Sequence, residues 1–100
     1  MTKRKNTMYV SPSMNALCDA LPITKAAAVV LAIHNAWKEP DVLAYALRLR
    51  LGRPVEEKSL RISYSVDGRT EGKLKNLMDM TGLSGEETVR LAMEAYIHHL

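Results

Sequence analysis

The sequence predicts a mainly α-helical chain with two short β-strands, each followed by a pair of helices. Three observations predict it. Residues 60–66 alternate between apolar and polar without a break. Each of two strand-like stretches is followed by helical patterns with their own start and stop signals. A shift of sixty residues superimposes the second helix of one pair on that of the other, an internal repeat.

The later half is the clearer. In Leu60-Arg61-Ile62-Ser63-Tyr64-Ser65-Val66, the residues Leu, Ile, Tyr and Val fall on one face and Arg, Ser and Ser on the other. Such period-two alternation, with β-branched and aromatic members, is that of a half-buried strand. Asp67-Gly68 closes it, and Asp67 suits the N-cap of a helix from Gly68 to Thr81. Leu74, Leu77, Met78 and Thr81 give that helix an apolar stripe, and Gly72 weakens it. Gly82 fits the left-handed position after the last turn. Ser84 then caps a second helix, with Glu87 three residues on completing a capping-box signature. Val89, Ala92, Met93, Tyr96, Ile97 and Leu100 share one face of it.

The earlier half repeats this plan in compressed form. Lys5–Val10 is strand-like, with Met8 and Val10 directed inward. Ser11-Pro12 pairs an N-cap with a proline at the first helical position, a strong start signal. A short helix Pro12–Leu21 is expected to turn Met14, Leu17, Cys18 and Leu21 inward, and Pro22 stops it. Thr24 caps a second helix running through Trp37, which is expected to be a core anchor. In the sixty-residue shift Val29 falls on Val89, Leu31 on Leu91, Ala32 on Ala92 and Trp37 on Ile97. Between the copies, Glu39–Gly52 reads as a third helix with Pro40 at N1. Val42, Leu43, Ala46, Leu47, Leu49 and Leu51 form its apolar side, and Arg48 and Arg50 load its C-terminal end. A polar linker leads from it into the second strand.

Composition narrows the function. One hundred residues suit one small domain or two very small motifs sharing a core, and 47% hydrophobic with 25% charged side chains argue against disorder. The net charge is +3, compatible with nucleic acid. Residues 1–60 hold nine Lys/Arg against five acids, whereas residues 61–100 hold five against six, so the basic excess lies in the first part. Cys18 stands alone, which excludes an intrachain disulfide; a small buried hydrophobe is its expected role. Lys3–Lys5 is followed by polar, proline-containing sequence rather than a signal-peptide core, and the longest apolar run, Ala26–Ile33, is too short for a bilayer. A cytoplasmic protein is expected. His34 and His98-His99 lack partners at metal-ligand spacing. With no phosphate-cradling glycine loop and no nucleophile–base constellation, neither an enzyme nor a cofactor, metal or small-molecule substrate is expected.

Arg61-Ile62-Ser63-Tyr64-Ser65-Val66-Asp67, the Gly82-Leu83-Ser84 turn and the Val89/Ala92/Met93/Tyr96 face resemble the ribbon-helix-helix superfamily of DNA-binding proteins (the Arc, MetJ and CopG type). The resemblance covers about 40 residues at 60–100, a span that matches one copy of the motif. Met8-Tyr9-Val10-Ser11 and Ile23-Thr24-Lys25-Ala26-Ala27 resemble it more weakly, departing by a shortened first helix and by Pro22 in place of glycine.

The family fold pairs two copies, and their strands form an antiparallel ribbon that enters the DNA major groove. The resemblance therefore implies a mainly α fold with a two-stranded antiparallel β-ribbon, an intramolecular pseudo-dimer with an inserted linker helix. Its parts are a basic arm at 1–4, a shortened copy at 5–37, a linker at 38–59 holding helix 39–52, and a second copy at 60–100. The partner is double-stranded DNA, with self-association a further expectation. Base contacts fall to the outward residues Arg61, Ser63, Ser65, Lys5, Thr7 and Tyr9. Bidentate bonding of Arg61 to guanine O6/N7 is worth about 1–3 kcal/mol of discrimination. Backbone contacts fall to Lys3 and Arg4 of the arm and to the second-helix N-termini, Thr24 with Lys25 and Ser84 with Gly85. Glu86 and Glu87 are expected to weaken the last of these.

The functional expectation is a sequence-specific transcriptional repressor or plasmid or phage regulator, associated with nucleoid or plasmid. A relaxosome or partition accessory DNA-binding protein is one alternative. A DNA-binding antitoxin is another, ranked behind because no toxin-wrapping segment follows the second helix.

Overall fold

The two alternating segments pair with each other although most of the chain's helical sequence lies between them. The computed structural model describes the backbone of residues 4–51 and 60–98 and the side chains of residues 6–49 and 60–97. The order is β1 (Arg4–Val10), α1 (Pro12–Asp19), α2 (Lys25–Lys38), α3 (Pro40–Leu51), β2 (Leu60–Val66), α4 (Gly68–Thr81) and α5 (Gly85–His98). The protein is mainly helical, with one two-stranded antiparallel sheet of β1 and β2. Among the described residues no helix is long and apolar enough to cross a membrane. Lys3 of the expected arm, linker residues 52–59, His99 and Leu100 lie outside the described residues, as do the side chains of Arg4 and Lys5.

Local chemistry sets the boundaries. Ser11 Oγ accepts from Met14 N at 3.2 Å, and Pro12 opens α1 without a lost donor. Thr24 Oγ1 accepts from Ala27 N at 3.1 Å, and Asp67 Oδ1 accepts from Thr70 N at 2.8 Å. Gly82 ends α4 at φ +71°, donating its N–H to Met78 O at 2.8 Å; a side chain there would suffer the left-handed penalty. Ser84 Oγ accepts from Glu87 N at 3.3 Å to start α5.

The core lies between the inner face of the ribbon and the helices. Met8, Val10, Ile62, Tyr64 and Val66 supply the ribbon's share. α2 and α5 pack together at the centre, and α4 lies across both. The strands cross over: β2 packs on α2, and β1 packs on α5. Small residues (Ala28, Ala32, Ala36) line the buried face of α2 and allow its close approach. α3 lies on α5 and α2, burying Leu43 and Ala46. Covered from several sides, α5 is buried at every position from Thr88 to Met93, not along one stripe as its periodicity suggested.

Several expectations need correction. β1 begins at Arg4, so that residue belongs to the ribbon and not to an arm. α1 ends at Asp19, not Leu21, because Pro22 drives Leu21 from helical geometry and Leu21 N closes a tighter turn onto Cys18 O at 3.1 Å. Leu17 is exposed: it sits on the flank of the Met14–Cys18–Leu21 stripe, and so short a helix has few neighbours to cover that flank. Leu60 is exposed too, at the open end of β2.

Trp37 is no core anchor. It is 45% exposed on the flank of the alanine-rich face, where His34 stacks on it with centroids 6.3 Å apart. Lys73 of α4 lies over its ring at 4.8 Å and also meets His34 Nδ1. Cys18 is buried as a small apolar residue. Burial raises its pKa above the ordinary thiol value; Lys25 lowers it in part, and Asp19 raises it.

Candidate nucleic-acid interface

The register of the ribbon determines what it offers to a ligand. Lys5 lies opposite Ser65, Thr7 opposite Ser63 and Tyr9 opposite Arg61. Thr7, Tyr9, Arg61, Ser63 and Ser65 are all exposed, whereas Met8 and Ile62, opposite each other on the other face, are 0% and 2% exposed. All six residues expected to read bases thus share one side of the sheet by register, although the side chain of Lys5 is outside the described set.

Chemically this face is well suited to base edges. The six residues comprise two cations, three hydroxyl side chains from Ser and Thr, a phenol and no acid. Outward residues on one strand recur every ~7 Å, about two base steps. A two-stranded ribbon also fits the width of the major groove.

The ribbon has a local two-fold character. Thr7 stands four residues before the N-cap Ser11, and Ser63 stands four before the N-cap Asp67. These two equivalent positions are directly paired, so an approximate axis runs through them. Chemistry breaks the symmetry away from that axis. Lys5 corresponds to Arg61 with charge preserved, but Tyr9 corresponds to Ser65.

The helix N-termini are more occupied than expected. Lys25 Nζ donates to Asn15 Oδ1 at 2.8 Å and pairs with Asp19 Oδ1 at 3.0 Å, so its charge is already partly balanced. Asn15 in turn donates to Asp19 at 3.3 Å. At α5, Ser84 is exposed, and Gly85 is half-buried against Met78. Glu86 and Glu87 there turn toward Arg90. The Nη1 of Arg90 lies 2.9 Å from Glu86 Oε2, and Nη2 meets Glu87 Oε1.

Arg90 is the residue that sequence reasoning missed. It is 5% exposed, and its Nη1 also donates to the main-chain carbonyl of Tyr9 at 2.6 Å. A signal did exist, since Glu86 and Glu87 precede Arg90 by four and three residues, the helical ion-pair spacing. Its contact with β1 carried no sequence signal. That bond brings the first turns of α5 against the ribbon. Tyr64 feels the same proximity: burial raises its pKa above the ordinary phenol value, and the charge of Glu86 raises it further.

Comparison with protein-family models, with curated proteins and with solved structures finds no match to this chain.

Proposed function

We propose that this chain is a sequence-specific double-stranded DNA-binding protein of ribbon-helix-helix type, with both copies in one polypeptide. It acts as a transcriptional repressor or as a plasmid or phage regulator. One observation carries the proposal: the antiparallel register places Lys5, Thr7 and Tyr9 opposite Ser65, Ser63 and Arg61, and the five of these whose side chains are described are all exposed and none is acidic. Such a face supplies donors and acceptors for base edges and positive charge for phosphates.

The packing supports the pseudo-dimer. α2 and α5 both run for 14 residues, begin sixty positions apart and pack together. Each strand lies on the second helix of the other copy, an interlocked arrangement in which neither copy buries its apolar face alone. α1 has 8 residues against 14 in α4, so the copies are unequal. Because the two strands present different side chains, the preferred DNA site is non-palindromic.

Selection from random duplex DNA, followed by gel shifts at two salt concentrations and a solution mass, tests the proposal. The expected result is a monomer that binds one asymmetric site, with affinity falling as salt rises. Failure to enrich any sequence would refute specific DNA reading, and a dimer on a palindrome would refute the pseudo-dimer.

A further inference from the structure

We infer that Arg90 is a positioning residue for the reading ribbon, a clamp that fixes its Tyr9–Arg61 end. The inference deepens the DNA-binding proposal and rests on it for its functional consequence. Its structural content stands without DNA.

Arg90 comes from the second turn of α5 and is buried. Its guanidinium fork reaches three acceptors: the Tyr9 carbonyl, the Glu86 carboxylate and the Glu87 carboxylate. The two carboxylates hold the guanidinium in place, and the guanidinium holds the strand. A planar fork suits this task, because several bonds are directed at once from one rigid group. Its Nε is buried without a partner in the described structure, so the arrangement is not optimised for stability alone. Buried ion clusters are poor stabilisers compared with apolar packing, and their attested use is to specify one arrangement.

The repeat does not reproduce this cluster in α2. In the sixty-residue repeat, Glu86, Glu87 and Arg90 correspond to Ala26, Ala27 and Val30 of α2. Val30 has no group to hold a strand carbonyl. Tyr9 lies directly opposite Arg61, so fixing the Tyr9 backbone also fixes the strand partner that presents Arg61. Among the described residues, no arginine of α2 reaches the Lys5–Ser65 end. The clamp therefore acts at the Tyr9–Arg61 end of the ribbon. Arg90 also pairs with Glu86 and Glu87 of the first turn of α5.

Two variants test this. Arg90→Met removes the clamp but leaves two carboxylates behind. The combined variant Glu86→Gln, Glu87→Gln, Arg90→Met removes the whole charged cluster and keeps the helix formers. Amide hydrogen exchange of the free protein is read at residues 8–10 with 60–62, and at residues 4–6 with 64–66. In the combined variant the first group is expected to exchange about tenfold faster relative to the second. Discrimination against base changes under Tyr9 and Arg61 is expected to fall roughly tenfold, with discrimination at the other end retained.

Equal acceleration at both ends, or none, would overturn the clamp and leave Arg90 as a general stabiliser. Base discrimination lost equally at both ends would overturn it as well. If the unaltered protein selects no DNA sequence, the DNA proposal fails, while the exchange pattern still decides the clamp.

Discussion

Replacing Thr7 or Met8 with alanine separates the two faces of β1 by a single residue. Met8 is 0% exposed and lies opposite the buried Ile62. Truncation to alanine removes its thioether and leaves a cavity between ribbon and helices, a cost of about 2–5 kcal/mol. A domain of this size has roughly 5–15 kcal/mol of stability in total, so the loss is a large share. Thr7 is exposed opposite Ser63, and its replacement costs at most about 1 kcal/mol through strand preference. Urea unfolding reads both. With slopes of about 1–3 kcal/mol/M, Met8→Ala should lower the midpoint by on the order of 1–2 M at unchanged slope. Thr7→Ala should leave the midpoint nearly in place while weakening specific DNA binding. A Met8→Ala cost below that of Thr7→Ala would mean that the strand presents the opposite face, and the interface described above would be wrong.

Other perturbations follow from the same structure. Gly82→Ala should cost about 1–2 kcal/mol, all of it backbone strain at positive φ, since an added Cβ meets no atom within 4 Å; Gly82→Asn should cost less. Asp67→Ala should remove about 0.5–2 kcal/mol by orphaning the Thr70 amide at the start of α4. Alkali should destabilise the fold. Cys18 and Tyr64 both hold their protons more tightly when folded, so the unfolded chain ionises first as pH rises. The contribution of these two groups should be level below the ordinary thiol value of about 8.5 and decline through and above the ordinary phenol value of about 10. Chemical unfolding across that range checks the sign, and Tyr64→Phe with Cys18→Ala should flatten the decline.

Much of the fold was legible because its signals are local. The alternation of residues 60–66, the Ser11-Pro12 start, the Asp67 cap and the Gly82 stop each act within one turn or strand, and each matches the observed element. The exposure of Thr7, Tyr9, Arg61, Ser63 and Ser65 was legible for the same reason, since period two fixes which residues share a face. What escaped was long-range. Trp37 looked like core because it is large and apolar, but the small residues beside it bring the helices so close that it stays on the flank. Leu31 and Leu91 occupy equivalent repeat positions, yet Leu31 is exposed and Leu91 is buried, in the helix on which α3 chiefly lies. The partners of Lys25 and Arg90 depend on how separate elements meet, and periodicity does not encode that.

The central claim is that the exposed ribbon face reads DNA sequence, and Arg61→Ala tests it most directly. Binding should be measured by fluorescence anisotropy on the selected duplex and on a scrambled one at matched salt. The account predicts a loss of about 1–3 kcal/mol on the selected site, roughly five- to 150-fold, with relaxed preference at one base pair and little change on scrambled DNA. Equal affinity of the variant and the unaltered protein for the selected duplex would contradict it.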